Sequence, residues 1–215
     1  WLNSGVTIDF PDDRYDEVYR RGLLATALHI DGQSKSIIAG FHNGAYPFCW
    51  PRDAVYAAVC LARTAHIPES AGVYDWMRDT CYRDNESWGK GYWKQKYTTD
   101  GYTVWSSPQI DETAVFPWGL YYHYQITGDT AFANGHYATM KEAATTIHSD
   151  PGNPSLLPLL NYNPVRRLMW SNNVWEDQYN FFAYSNANVV RGLYDAAALA
   201  TALGFPSDAS DFNFW

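Results

Sequence analysis

The chain is 215 residues long, 47% of them hydrophobic and 17% aromatic, so it can bury a sizeable core and is neither disordered nor fibrous. A formal net charge of -8 argues against a nucleic-acid partner, because binding to phosphates requires an excess of Lys and Arg. No run approaches the ~18 apolar residues of a membrane span, so we expect no membrane partner. The 10 Trp and 17 Tyr exceed what packing usually requires, and flat aromatic faces suit sugar rings.

Hydrophobic periodicity predicts helices rather than strands. The first helix has cap candidates at Asp12 and Asp13 and stops at Gly32, and the second begins with Pro51, which suits a first helical turn. The six predicted helices span about residues 12–31, 51–65, 68–83, 111–126, 130–147 and 185–203. Their alternately short and long connections indicate a helical ring whose long loops form a pocket at one end.

The long connections are rich in Gly, Pro and aromatic residues. Residues 85–110 are predicted to form a long loop with a small hairpin at the sequence TTDGYT. Residues 149–164 contain four prolines and are predicted to be irregular. Because long loops in compact domains tend to carry function, site residues are expected in and beside these loops.

The stretch YPFCWPRDA, residues 46–54, places Arg52 and Asp53 at the start of the second helix. Asp53 favours the positive end of the helix dipole, whereas an arginine there is disfavoured. We interpret Arg52 and Asp53 as a charged pair that binds hydroxyl groups of a ligand in a pocket lined by Tyr46 and Trp50. Charged groups make stronger hydrogen bonds than neutral ones. An ordinary helix start is the alternative interpretation.

The stretch VWSSPQIDETAVFPWGLYYHY, residues 104–124, carries both acidic and aromatic residues. Asp111 and Glu112 are interpreted as ordinary charges of a helix N-terminus. Trp105 lies in the predicted loop, where packing does not account for it, and is a candidate for contact with a sugar.

The stretch NNVWEDQYN, residues 172–180, sets Glu176 and Asp177 directly after Trp175. A carboxyl beside indole rings loses solvation of its charged form, which raises its pKa and lets it hold a proton near neutral pH. Glu176 is therefore a candidate general acid, and Asp177 a candidate acceptor for substrate hydroxyls. An exposed acidic pair on a loop is the alternative interpretation.

Together and in this order, the three stretches resemble the glucoamylase and glucodextranase family, glycoside hydrolase family 15, over roughly residues 13–204. The resemblance implies an all-α fold, the (α/α)6 toroid of the six-hairpin glycosidases, of which this chain supplies about six of twelve helices. Residues 1–215 are then one partial catalytic barrel domain, with no second domain visible. The implied activity is that of an inverting, exo-acting α-glucosidase that releases β-glucose from the non-reducing ends of α-glucans.

The resemblance also implies roles for individual residues. Glu176 matches the family's general acid, and Arg52 and Asp53 match the pair that grips hydroxyls of the innermost glucose. Asn173 stands where the starch-cleaving fungal members tend to have Asp, and Asp177 replaces Glu, so the linkage preference stays open. The further substrate contacts that the resemblance implies are Tyr46, Trp50, Trp105, Gln109, Trp175 and Asp177.

Inversion needs a second carboxylate that acts as a base, usually about 6.5–9.5 Å from the acid. In the family this glutamate comes from later helices, and no Asp or Glu of this chain matches it. We therefore expect the remaining half-barrel, or flanking modules, as partners of this chain. Two other classes stay open: a catalytically silent toroid that binds carbohydrate or another subunit, and a related barrel enzyme such as a trehalase or disaccharide phosphorylase.

No metal-ligand cluster is visible in the sequence, and the implied chemistry requires no metal or organic cofactor. Cys49 and Cys60 are expected to be small buried residues, since they fall at the start and in the interior of the second predicted helix. The three cysteines also lack metal-ligand spacing. The expected substrate is an α-linked glucan or oligosaccharide. We expect an extracellular location and leave an intracellular one open.

Overall fold

The computed structural model describes residues 1–42, 44, 46–81, 91–107, 109–149, 159–174 and 178–215. Within these residues the chain forms seven α-helices, α1 (Asp13–Leu28), α2 (Pro51–Arg63), α3 (Ile67–Trp76), α4 (Ile110–Thr127), α5 (Thr130–Thr146), α6 (Ala183–Ala202) and α7 (Pro206–Phe214). The same residues contain five short strands, β1 (Lys96–Tyr97), β2 (Thr103–Trp105), β3 (Asn161–Asn163), β4 (Leu168–Asn172) and β5 (Tyr179–Asn180).

Local chemistry explains where several helices begin and end. The side chain of Asp12 caps α1, and that of Asp129 caps α5 by accepting a hydrogen bond from the backbone N–H of Phe132 at 2.9 Å. Pro51 occupies the first turn of α2, where no backbone hydrogen is needed. Gly128 ends α4 with a φ of 65°, a conformation that glycine adopts without strain.

The helices pack in two layers. Helices α2, α4 and α6 lie side by side with α4 in the middle, while α3, α5 and α7 pack against α2, α4 and α6 respectively. Gly192 brings α6 close to α4, because a Cβ atom at this position would lie 2.5 Å from the carbonyl oxygen of Ala114. The largest completely buried side chains of the core include Trp76, Trp93, Tyr74, Tyr97, Phe116 and Leu61.

The N-termini of α2, α4 and α6 lie at the same end of the molecule. Arg52 in the first turn of α2 contacts Asp111 and Glu112 in the first turn of α4. Burial raises the pKa of Tyr184 in the first turn of α6, and the nearby negative charge of Asp111 raises it further. The antiparallel hairpin β1–β2 precedes α4, and the antiparallel sheet β3–β4–β5 precedes α6. The side chain of Gln109, just before α4, donates a hydrogen bond to the carbonyl of Asn173, just after β4.

The six predicted helices are all present, and α7 is an addition that the sequence analysis did not predict. Only Ala209 and Phe212 of α7 are buried, so its short sequence carries little apolar periodicity. The third predicted helix continues past Trp76 as a π-helical turn, Met77–Cys81.

The strands differ more from expectation. The small hairpin at TTDGYT is confirmed as β1–β2, but Trp105 lies in strand β2 rather than in a loop. The prediction that residues 149–164 are irregular is wrong for β3, which pairs with β4, and residues 150–158 lie outside the described residues. Strands of two to five residues are too short to show the alternation by which sequence patterns reveal them.

Cys49 is buried as expected, but the prediction for Cys60 is wrong because that residue is exposed. The cause is the period of α2, which places Asp53, Tyr56 and Cys60 on one exposed face, while Ala54, Val55, Ala58 and Val59 between them are buried. The exposed face of α2 therefore begins at one of the predicted site residues.

Candidate functional site

The position of Arg52 follows from the way the chain enters α2. The backbone N–H of Cys49 donates to the carbonyl of Tyr97 at 2.8 Å, and the N–H of Tyr97 donates to the carbonyl of Cys49 at 2.9 Å. Pro51 then begins the helix. These bonds join the start of α2 to strand β1 and hold Arg52 next to the segment that leads into α4.

Arg52 is buried, with 8% of its surface exposed, and lies in a cluster of side chains from the start of α4. Its Nη1 donates to Oδ2 of Asp111 at 2.6 Å and to Oε1 of Gln109 at 3.0 Å. Glu112 contacts it twice: Oε1 lies 2.8 Å from Nη1, and Oε2 accepts a hydrogen bond from the backbone N–H of Arg52 at 2.6 Å. Asp111 and Glu112 are both completely buried.

Two buried carboxyls thus share one guanidinium. Burial opposes the charge of Arg52, but the negative charges of Glu112 and Asp111 outweigh it and raise the arginine pKa. Burial also raises the pKa of Glu112 well above its ordinary value, against the opposing attraction of Arg52 and with a further contribution from Asp111. Glu112 therefore retains its proton to a higher pH than an exposed glutamate does.

Asp53 is the member of this group that faces outward. Its side chain is 47% exposed, and its Oδ2 lies 3.5 Å from Nη2 of Arg52. It lines an open groove of about 270 Å³ between the end of α1, residues 37–39 and α2. Partial burial raises its pKa, an effect that the charge of Arg52 opposes. Its exposed oxygens are available to accept hydrogen bonds from a ligand.

An aromatic wall built around Lys96 stands beside the start of α2. The Nζ of Lys96 lies 4.9 Å from the ring centroid of Trp50, 5.0 Å from that of Trp105 and 5.6 Å from that of Phe48. These are distances at which a cation is attracted to an aromatic face. Trp105 is 48% exposed, and Tyr46, whose ring lies 6.2 Å from that of Trp50, is 52% exposed. Trp105 and Tyr46 therefore offer open ring surface at this end of the molecule.

The segment that contains the predicted acid joins strands β4 and β5. These strands pair antiparallel, and beyond them the backbone N–H of Asn173 donates to the carbonyl of Gln178 at 3.2 Å. Trp175, Glu176 and Asp177 lie outside the described residues, so their roles stay predictions. The residues on both sides of them are described and place the base of this hairpin.

Gln109 connects that hairpin base to the arginine cluster. Its side chain is 1% exposed; Oε1 accepts from Arg52, and Nε2 donates to the backbone carbonyl of Asn173 at 2.5 Å. The oxygen and the nitrogen of this side-chain amide are thus both hydrogen-bonded within the protein. At 1% exposure the side chain presents almost no surface to a ligand, and its predicted contact with the substrate stays a prediction.

Three charged residues of this end were not predicted as site residues: Asp111, Glu112 and Lys96. The sequence does contain a signal for the two acidic residues. They open a helix whose following positions, TAVF, form an unbroken run of small and apolar residues, and a helix without a polar face is buried on all sides. Lys96 lies between Gln95 and Tyr97 in a two-residue strand, and nothing in that local pattern indicates its aromatic surroundings.

Among the described residues, no group of three or more His, Cys, Asp or Glu side chains is placed to hold a metal ion. The helices of the described ranges include none with the length and apolar character needed to cross a membrane.

No family model matches the chain. An uncharacterized glycosyl hydrolase of Methanocaldococcus jannaschii is 24% identical over 198 residues, which cover 91% of this chain and 29% of that protein. A crystal structure of a bacterial glucoamylase complexed with acarbose superposes with a TM-score of 0.69 and 16% identity, covering 99% of this chain and 29% of that one. A glycosidase solved as a glutamate-to-alanine variant gives a TM-score of 0.67 and 14% identity, covering 92% of this chain and 54% of that one.

These similarities concern only part of each protein, since the chain spans less than a third of the length of the glycosyl hydrolase it matches. At 14–16% identity, the superpositions establish the fold. The predicted fold class is thereby confirmed: the chain is all-α and has the helical toroid fold of the glucoamylase-like glycosidases.

Proposed function

We propose that residues 1–215 form part of the catalytic barrel of a glycoside hydrolase, an inverting, exo-acting α-glucosidase of the glucoamylase type. The proposed reaction releases β-glucose from the non-reducing ends of α-glucans or α-gluco-oligosaccharides. The observation that carries the proposal is the convergence, at the N-termini of α2 and α4, of the half-exposed Asp53 beside Arg52 with open aromatic surface. The glycosyl hydrolase relative and the glucoamylase-like fold support the same class of enzyme.

In this proposal the terminal glucose binds at the start of α2. Asp53 accepts hydrogen bonds from sugar hydroxyls, which suits a carboxylate that is half exposed and only loosely paired with Arg52. Arg52 has most of its guanidinium turned toward Asp111 and Glu112, so its main contribution is to hold Asp53 and the start of α2 in position.

The aromatic residues receive the apolar faces of the sugar rings. Trp105 and Tyr46 have exposed ring surface for this contact, while Trp50 is buried with its ring 6.2 Å from that of Tyr46. The glucoamylase structure that this chain resembles is a complex with acarbose, which supports an α-linked oligosaccharide as the substrate class.

Glu176 is proposed to protonate the glycosidic oxygen of the leaving group, with Trp175 keeping water from its carboxyl and Asp177 accepting a substrate hydroxyl. The base that activates water is proposed to come from a part of the complete protein outside these 215 residues. The acid and the base then act from opposite faces of the sugar ring, as inversion requires.

The proposal is tested by following the full-length protein with maltose, isomaltose, dextran and trehalose by proton NMR. Early appearance of β-glucose from an α-linked substrate is the expected result. Glu176→Gln should lower turnover by a factor on the order of 10²–10⁴ because the acid is lost while the shape is kept.

The matched control is Glu17→Gln, which makes the same chemical change at a glutamate that is 65% exposed on α1 and should leave turnover unchanged. Early α-glucose would contradict inversion, and unchanged turnover of Glu176→Gln would contradict the acid assignment. A requirement for phosphate would indicate a phosphorylase, and inertness toward all four substrates would indicate a binding module.

A further inference from the structure

Gln109 is a buried glutamine that joins two parts of the proposed site. It is the residue that caps α4, and its backbone carbonyl accepts a hydrogen bond from the N–H of Glu112 at 3.1 Å, so its main chain is fixed to the helix. From this position its side chain reaches Arg52 on one side and Asn173 on the other. These partners are 57 and 64 residues away in sequence; Arg52 belongs to α2, and Asn173 directly follows β4.

The orientation of the Gln109 amide follows from the chemistry of its partners. A guanidinium can only donate hydrogen bonds and a backbone carbonyl can only accept them, so Oε1 must face Arg52 and Nε2 must face Asn173. Glutamate at this position satisfies only Arg52 while ionised, and methionine satisfies neither partner. A glutamine is the residue of this length that makes both bonds.

The Asn173 end of this connection holds the hairpin that carries the proposed acid. Asn173 is three residues before Glu176, and its backbone N–H donates to the carbonyl of Gln178, the residue before β5. The carbonyl bound by Gln109 therefore belongs to the base of the connecting segment. A second contact supports the same strands: Oγ of Ser107 lies 2.5 Å from the hydroxyl of Tyr179 in β5. The chain just before α4 therefore fixes the hairpin at two points.

We propose that Gln109 is a positioning residue that sets the acid-bearing hairpin relative to the sugar-binding start of α2. The inference rests on the proposed function, because it is Glu176 that the hairpin positions. A displacement of about 1 Å at a reacting group can lower turnover roughly 100-fold, so loss of the bond to Asn173 affects proton donation before it affects binding.

The test separates proton donation from binding by the choice of substrate. Maltose has a poor leaving group that requires an acid, whereas α-glucosyl fluoride has a leaving group that departs with little protonation. In the full-length protein, Gln109→Met should lower kcat for maltose roughly 10- to 100-fold and change kcat for α-glucosyl fluoride much less. KM for both substrates should stay within about threefold of wild type, because sugar binding at Asp53 is retained.

Gln109→Glu is the second variant and isolates the bond to Asn173. While ionised, the introduced carboxylate keeps the bond to Arg52 but cannot donate to the carbonyl; once protonated, it donates again. The ratio of variant to wild-type kcat for maltose should therefore rise as the pH falls. A residue with only a packing role predicts no such recovery, and circular dichroism confirms that each variant is folded before kinetics.

The outcomes distinguish this inference from the proposed function. Equal losses on maltose and α-glucosyl fluoride, or a pH-independent ratio for Gln109→Glu, would overturn the positioning role while the wild-type activity stands. A wild-type protein that releases no glucose from either substrate would overturn the proposed function, and this inference with it.

Discussion

Arg52 and Asp111, which belong to the first turns of two neighbouring helices, form an ion pair of 2.6 Å in which both side chains are buried. The pair is shared with Glu112, so a single guanidinium serves two carboxyls that have no exposure to solvent. Breaking such a group is costly, because an unpaired buried charge cannot be rehydrated without opening the structure.

Arg52→Met tests this dependence. The substitution keeps the length of the side chain but removes the cation from Asp111 and Glu112, and we expect the free energy of unfolding to fall by about 3–5 kcal/mol at neutral pH. Urea unfolding followed by circular dichroism measures the change. The deficit should shrink in acid, where Glu112, whose pKa burial raises, takes up a proton and no longer needs the cation. A deficit that does not depend on pH would contradict the electrostatic origin.

Asp53→Asn is the comparison for Arg52→Met, because it removes the charge of the exposed carboxylate beside Arg52. Since its carboxylate is 47% exposed and 3.5 Å from Arg52, the free energy of unfolding should change by less than about 1 kcal/mol. Turnover of the α-linked substrate should nevertheless fall by about tenfold or more, as a charged hydrogen-bond acceptor to the sugar is lost. Full activity in this variant would remove Asp53 from the proposed sugar site.

The close approach of α6 to α4 provides a packing prediction. Gly192→Ala should lower the free energy of unfolding by about 1–3 kcal/mol, because the added methyl meets the backbone oxygen of Ala114, which cannot move alone. Gly22→Ala is the control in the middle of α1, where nothing lies within 4 Å of the added Cβ. That variant should gain about 0.5–1 kcal/mol from helix propensity, and thermal unfolding of both variants checks the opposite signs.

Asp195 makes the free energy of unfolding depend on pH. Its side chain is completely buried on α6, Nε of Arg191 lies 2.5 Å from its Oδ2, and burial raises its pKa from 3.8 to about 6 despite this partner. Between those values the folded state binds more protons than the unfolded state, so this group's contribution to stability falls as pH rises. Asp195→Asn should remove that decline, which is on the order of 3 kcal/mol between about pH 3.5 and pH 7.

The control for the pH measurement is Asp208→Asn. Hydrogen bonds from Lys141 and Tyr137 lower the pKa of Asp208, so its contribution is present above its ordinary pKa and is lost as the pH falls. Unfolding free energies measured across the same pH range should therefore diverge from wild type in opposite senses for the two variants. The same sense in both would contradict the assignment for Asp195.

Two tryptophans should separate substrate binding from folding. Trp105→Ala removes a ring that is 48% exposed in the aromatic wall, and we expect KM for maltose to rise about tenfold with a modest loss of stability. Trp93→Ala removes a core ring that stacks on Phe116 at 4.7 Å and should lower the free energy of unfolding by about 3–5 kcal/mol. Kinetics and urea unfolding of both variants provide the comparison, and an unchanged KM for Trp105→Ala would exclude it from substrate contact.

The sequence by itself determined helices α1 to α6, their order and the β1–β2 hairpin, because periodicity, caps and turn residues act over a few neighbouring positions. It also singled out Arg52, Asp53 and Trp105, each of which stands in a stretch with an unusual local composition. Short strands such as β3 and the helix α7 escaped prediction, since neither is long enough to display a pattern.

Only the tertiary structure decided what surrounds these residues. The burial of Asp111 and Glu112 around Arg52, and the two hydrogen bonds of Gln109, join positions that lie 57 to 64 residues apart. Such contacts depend on how α2, α4 and the β4–β5 hairpin pack together, and the same local sequence would leave those carboxylates in water if the helices were separate. The electrostatics of the proposed site are therefore a product of packing, which a local sequence pattern does not encode.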